Sequence, residues 1–305
     1  MGAYIVRRAL HAVLVVVGVS AVIFFISRLS GDPVSLMVPF DVPQPQREAI
    51  RHELGLDQPL PVQYAVFVGN ALRGDFGISV RNRVPALRLV LDRVPATLEL
   101  AAVALVFAVV LAVPLGIVSA LKHNSVWDLA GMVLTFLGQS VPSFWLGILL
   151  ILVLGVNLRL LPISGAGTPW HLLMPGVTLG SFFMASLARL TRSSMLDVLG
   201  QDYVRTARAK GLAEWVVVGL HALKNAAIPI VTAIGVYMGQ LLSGAVITEQ
   251  IFAYPGVGRL AIEAISTRDF PVVQANVIFV SVVVVVLSFA VDMVYLVLDP
   301  RIRYT

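Results

Sequence analysis

The chain has 305 residues, of which 58% are hydrophobic and 13% charged, with a net charge of +5 and no cysteine. Soluble domains carry about 45–50% apolar and about 25% charged residues, so this composition excludes an ordinary soluble enzyme, a disordered chain and a fibrous one. The lack of cysteine excludes disulfides, thiolate metal sites and cysteine nucleophiles. In so apolar a chain, the basic excess reads as charge placed on one side of a lipid bilayer, not as nucleic-acid binding.

A helix needs about 20 mostly apolar residues to cross a bilayer. The first uncharged run is Ala9–Ser27. Arg7 and Arg8 precede it, as in a signal peptide or a twin-arginine signal. The run is long, however, and ends at Ser27-Arg28-Leu29 without a small-x-small cleavage site, which favours an uncleaved anchor. Residues 1–29 are therefore the N-terminus and span 1.

Residues 30–99 read as an extracytoplasmic loop with amphipathic helices. The loop holds seven Lys/Arg and eight Asp/Glu. Val84, Leu87, Leu91 and Val94 share one helical face, Pro85 suits a first turn and Pro95 a stop. The spacing predicts a short helix on the membrane surface, with Thr97 as N-cap of the next span. Such a helix either docks a soluble partner or covers the pore mouth, or it anchors the connection in the interface.

Residues 100–305 form the transmembrane core. Leu100–Leu121, Leu129–Leu158 (with Pro142), Leu160–Ala188, Ala226–Thr248 and Phe270–Val291 are uncharged. Pro162, Pro169 and Pro175 break the first half of the Leu160–Ala188 run. The spans predicted are about 100–121, 129–156, 172–188, 226–248 and 273–298, all α-helical because lipid cannot satisfy backbone polar groups. Asp292 sits inside the last span, where a carboxylate is either functional or paired near the interface.

Six spans put both termini on one side. With the long first loop discounted, the side of the termini holds eleven Lys/Arg against four, which makes it cytoplasmic. That side has a net charge of +6, and the remainder of the chain has −1.

The cytoplasmic segment 189–225 differs from a linker. Tyr203–Lys210 and Ala213–Leu223 read as two short helices punctuated by Gly200 and Gly211. Such a projection is either a docking element or a hairpin binding anionic lipid through Arg205, Arg208 and Lys210. Between spans 5 and 6, Tyr254-Pro255-Gly256-Val257-Gly258 reads as a turn.

Catalytic patterns are missing. The sequence has no GxxxxGK[ST], HExxH or GxSxG, and its five histidines are scattered. No nucleotide-binding motif stands on the chain, and no metal is expected. The spans instead carry packing and polar groups. Gly235, Gly239 and Ser243 form a small-residue stripe at i, i+4, i+8 for close helix approach. Gln139 and Ser140, with Tyr237 and Gln240, fit a water-lined translocation path or interhelical hydrogen bonds.

Asp202-Tyr203-Val204-Arg205-Thr206-Ala207-Arg208-Ala209-Lys210-Gly211, then His221-Ala222-Leu223-Lys224-Asn225 and Ile228-Pro229, resembles the cytoplasmic motif of binding-protein-dependent ABC importer permeases. The likeness is to the dipeptide, oligopeptide and nickel branch. It extends over nearly the whole chain, through Gly31-Asp32-Pro33, Gly55-Leu56-Asp57-Gln58-Pro59, Gly74-Asp75-Phe76-Gly77, Pro95-Ala96-Thr97-Leu98-Glu99-Leu100 and Pro255-Gly256-Val257-Gly258. Against the broad importer motif, Gly211, Ala207 and Leu223 match. Arg205 stands where Glu is usual, Thr206 for Ala, His221 for Ile and Lys224 for Pro.

The resemblance implies an all-α type I importer permease with six spans in the cytoplasmic membrane. It implies that Asp202, Tyr203, Arg205, Thr206, Ala207, Arg208, Ala209, Lys210, Gly211, His221 and Leu223 form the segment that couples to ATPases. The partners it implies are a second, homologous permease subunit, two ABC ATPase subunits carrying ATP and Mg, and an extracytoplasmic substrate-binding protein. Peptide import is the first expectation. Nickel, glutathione or oligosaccharide import is an alternative within the class, and a stand-alone channel, a secondary carrier or a membrane enzyme lies outside it.

Overall fold

The computed structural model describes residues 2–29, 42–53 and 55–298, without the side chains of 2–5, 242–244 and 291–298. Gly31-Asp32-Pro33 and the side chains of Ser243 and Asp292 lie outside this description. One isolated antiparallel bridge joins Ile78 and Pro85. All other regular structure among the described residues is helical.

The helices are α1 (Gly2–Leu29), α2 (Gln44–Glu53), α3 (Leu60–Ala71), α4 (Ala86–Leu121), α5 (Val126–Ser140), α6 (Ser143–Leu150), α7 (Trp170–Leu199), α8 (Asp202–Ala209), α9 (Leu223–Ile251), α10 (Val257–Ser266) and α11 (Phe270–Leu298). π-helical turns at Ile151–Asn157 and Val217–Ala222 extend α6 and lead into α9. Among the described residues, five helices are long and apolar enough to cross a membrane, and a sixth span results if the bent pair α5–α6 counts as one.

That pair covers the span expected over 129–156, and it is bent at Pro142. The two helices meet at 99°. Val141 is extended at the break, with φ −78° and ψ 121°. Pro142 supplies no N–H and pushes its predecessor out of the helical region, which is the physical cause.

The surface helix expected before span 2 is corrected. Its residues open α4, which runs for 36 residues straight through Pro95. At about 1.5 Å per residue, that length far exceeds the hydrocarbon core. Thr97 is therefore an interior helical residue, not an N-cap. The buried positions are Ala86, Val90 and Thr97, whereas Leu91 is exposed, so the inward face is rotated from the one read off the apolar spacing.

The chain forms two compact units. In the first (1–96 and 256–289), Ala86, Val90, Val257, Leu260, Ala264, Val272, Val273 and Ala275 make a buried cluster. Tyr64 of α3 clips onto α1 through Ser20 Oγ at 2.8 Å and Val17 O at 3.2 Å, among the rings of Phe24, Phe25 and Phe67. The predicted Tyr254–Gly258 turn ends at Gly256, where α10 begins with Val257, whose carbonyl accepts from Asn276 Nδ2.

In the second unit (97–255 and 290–298), α7 is the central helix. Its neighbours approach through glycines. A Cβ on Gly180 would lie 2.5 Å from Ala104 O, and one on Gly116 would lie 2.5 Å from Thr191 Cβ. Pro175 is accommodated within α7 and does not break it. The close packing in this unit thus falls on Gly116, Gly176 and Gly180. A Cβ on Gly239, in the predicted small-residue stripe, would meet nothing within 4 Å.

Candidate coupling segment and translocation path

The predicted coupling segment is built as a continuation of α7. That helix extends to Leu199, eleven residues beyond the predicted span end at Ala188. Gln201 is extended, and α8 follows directly. Within α8 only Val204 and Ala207 are buried, packed with Val217, Val198 and Leu199. Their three-residue spacing places them on one helical face. Asp202, Tyr203, Arg205, Thr206, Arg208, Ala209 and Lys210 are exposed.

Two ion pairs order this outer surface. Arg208 reaches Glu214 with Nε at 3.2 Å and Nη2 at 2.7 Å. That hydrogen bonding raises the Arg208 pKa above its ordinary value. Arg205 pairs loosely with Asp202 at 3.5 Å. Gly211 then reverses the chain with φ +76°, a left-handed conformation that favours glycine.

The second predicted hairpin helix is not separate. Glu214–Val216 and the π-helical turn run into α9 at Leu223. His221 lies in that turn, and its carbonyl accepts from Asn225 Nδ2 at 3.0 Å. The same Asn225 amide donates to the Tyr203 hydroxyl at 2.8 Å, tying α8 to the root of α9. Leu223 packs against a cluster of Ala120, Met195, Ala222 and Ala226.

Of the predicted path residues, Gln139 is partly buried and Ser140 is exposed, just before the α5–α6 break. Tyr237 lies on α9, its ring 5.2 Å from that of Phe183 on α7. Gln240 is exposed. Tyr237 is thus drawn to the central helix, and Gln139 and Ser140 stand side by side on α5.

A polar network at the far end of these helices was missed by reading only the runs between charges. Thr97 Oγ1 donates to Glu249 Oε1 at 2.6 Å, with Glu249 fully buried. The Tyr254 hydroxyl donates to Glu99 Oε2 at 3.1 Å. Burial first, then the charge of Glu99, raises the Tyr254 pKa, so the phenol stays protonated. Glu99 and Glu249 both belong to long helices, although the sequence reading counted only Asp292 within a span. The signal for them was present in Glu99-Leu100 and Glu249, which border two uncharged runs.

No group of three or more potential metal ligands occurs among the described residues.

A polytopic helical bundle with a short charged helix projecting between two spans is the architecture of a transport permease. Comparison with known proteins makes this specific. The family described as "Binding-protein-dependent transport system inner membrane component" matches residues 112–304, and its N-terminal companion family matches residues 1–101. The chain belongs to this family, as a multi-pass inner-membrane protein. It is 38% identical to the dipeptide transport system permease protein DppB of Escherichia coli (strain K12), over 99% of this chain and 98% of that one. It is 40% identical to the oligopeptide transport system permease protein AppB of Bacillus subtilis (strain 168) over the whole of both chains. It is also 40% identical to the glutathione transport system permease protein GsiC of Escherichia coli (strain K12), over 99% of each. In fold it is similar to an inward-facing MetNI methionine ABC transporter chain, with TM-score 0.57 and 19% identity, covering 69% of this chain and 96% of that one.

Proposed function

We propose that this chain is the translocating permease subunit of an ATP-driven importer that carries dipeptides or oligopeptides across the cytoplasmic membrane. The carrying observation is α8, which buries two apolar residues against its own helical root and presents its other six residues outward. A rigid, exposed helix on a direct extension of the central span suits transmission of force from a partner. The full-length likeness to dipeptide and oligopeptide permeases supports the substrate class.

On this reading both termini are cytoplasmic, and α8 seats in a groove on an ATPase subunit. ATP and Mg reside on two such ATPases. A second, homologous permease completes the pathway, and an extracytoplasmic binding protein delivers the substrate. The exposed face around Gly239 is available to another helix, which fits the second permease. Glutathione, itself a tripeptide, is the second substrate reading, supported by the relative at 40% identity.

The test replaces Ala207 with Glu in the reconstituted transporter. A charge placed against Val204 and Val217 displaces α8 from its root. Peptide uptake should be lost while ATP hydrolysis persists. Unchanged uptake overturns the coupling assignment. Uptake by this chain alone in liposomes, with no ATPase added, overturns the importer reading in favour of a channel or carrier.

A further inference from the structure

Between Leu179 and Met195, helix α7 leaves only Phe182, Ser186, Arg189, Leu190, Arg192 and Ser193 unburied. Arg192 is engaged by Asp128. The other five fall within one stripe of the helix surface, as the spacing i, i+4, i+7, i+8, i+11 requires. This stripe lies on the central helix of the unit and holds two serines and an arginine. A charged side chain on a membrane helix avoids lipid, so the part of the stripe around Arg189 faces water or protein.

Beside Arg189, α5 supplies Met132, Val133, Thr135 and Phe136 to a cleft of about 330 Å³, which Arg189 alone of the stripe completes. On α5, Met132, Phe136, Gln139 and Ser140 follow at i, i+4, i+7, i+8 and share a face. Gln139 and Ser140, the polar pair predicted for the path, thus stand one turn beyond the cleft on the same face of α5. Arg189 lies ten residues before the end of α7, about 15 Å along the helix axis. No carboxylate among the described residues pairs with it.

We propose that Arg189 is a substrate contact of the translocation path, receiving a carboxylate of the passing molecule. For a peptide, this is the C-terminal carboxylate, with Val133 and Phe136 offering apolar surface to the adjoining side chain. The inference rests on the peptide-permease reading above. A guanidinium keeps its charge at any physiological pH and matches a carboxylate with two parallel N–H donors. A single cation in an open cleft holds the substrate weakly enough to release it, as conduction requires.

The cysteine-free sequence provides the test. Arg189→Cys is assembled with the second permease, the ATPases and the binding protein, each freed of accessible cysteines. The complex is reconstituted in proteoliposomes and supplied with a radiolabelled tripeptide that has a free C-terminus. Uptake should fall about tenfold, the scale of one lost charge-assisted hydrogen bond. Modification with a cationic methanethiosulfonate should restore most of it, an anionic reagent should not, and excess tripeptide should slow the labelling. If the assembly does not form, Arg189→Gln, which keeps the polar volume, replaces it and should show the same loss, with Arg189→Lys retaining uptake.

A cysteine that neither reagent reaches, with or without ATP, places the residue against lipid or a partner and overturns the proposal. Uptake unaffected by the sign of the added charge also overturns it. A wild-type assembly that imports no peptide overturns the peptide reading instead. Wild-type import with unchanged import by the variant overturns only the role of Arg189.

Discussion

Arg192 grips Asp128 with two donors, Nε on Oδ1 and Nη2 on Oδ2, each at 2.7 Å. Asp128 also accepts from the Asn124 backbone N–H at 3.0 Å and is 4% exposed. His123 Nδ1 stands 3.0 Å from Arg192 Nη2 and 3.2 Å from Asp128 Oδ2. The pair fastens the first turn of α5 to the stretch of α7 that leads into α8. Any displacement of α8 thus meets a fixed point one helix away.

Asp128→Ala should destabilise the permease by about 3 kcal/mol, near the lower end for a broken buried pair, because Arg192 keeps some solvent contact. Thermal unfolding in detergent reads this directly. The double variant Asp128→Ala with Arg192→Ala should cost less than the sum of the two single changes, since the second removes the stranded charge. Strict additivity would show that the two side chains do not interact.

Gly180 of α7 and Gly239 of α9 differ in what surrounds them. Gly180→Ala forces a methyl group to within 2.5 Å of Ala104 O and 2.9 Å of Phe107 Cδ1. A loss of about 1–3 kcal/mol in the stability of the isolated chain is expected for such overpacking. Gly239→Ala meets nothing within 4 Å, and its improved helix propensity is worth up to about 1 kcal/mol. The isolated chain should therefore tolerate Gly239→Ala, and any loss should appear only in co-purification with the proposed second permease.

The contrast also shows what the sequence reveals and what it conceals. Long uncharged runs gave the spans, because the bilayer imposes a length and a composition. The charged insert 189–225 stood out against them for the same reason. Helix continuity was not legible. Pro95 was read as a stop, yet α4 passes through it, because a single missing N–H is tolerated where the preceding turns, through Ala86 and Val90, pack into a buried cluster with Val257 and Leu260. Pro142 does break its helix, with a bend of 99°. The two prolines look alike in sequence and are distinguished by their surroundings. Arg189 was counted as a loop charge for a related reason: it borders an uncharged run, while the helix carrying it extends to Leu199.

Thr97→Val should test the network at the other end of the second unit. The hydroxyl donates to the buried Glu249 at 2.6 Å. Removing one donor from a buried carboxylate costs about 1–3 kcal/mol. Tyr254→Phe removes a bond to the more exposed Glu99, so it should cost only about 0.5–1.5 kcal/mol. Urea or thermal denaturation of the two variants should preserve that order. A reversed order would place the network's main anchor at Tyr254.

In the first unit, Asp269 accepts from Ser79 Oγ at 2.5 Å and from the backbone N–H groups of Val80 and Arg81 at 3.2 and 3.4 Å. It is 2% exposed. Arg83, in the same turn, is exposed with φ +56°, a strained conformation for a residue with a side chain. Ser79 N–H closes the turn by donating to Val84 O at 2.9 Å. One carboxylate thus stabilises a loop that would otherwise relax. Asp269→Leu deletes all three acceptor contacts at similar volume and should open the 79–84 turn. Trypsin should then cleave after Arg81 and Arg83 many times faster than in the native chain, with cleavage elsewhere unchanged. Asp269→Asn keeps one acceptor oxygen and should fall between the two. Equal cleavage of all three proteins would mean that the turn is held by the Ile78–Pro85 bridge and its flanking helix, and not by Asp269.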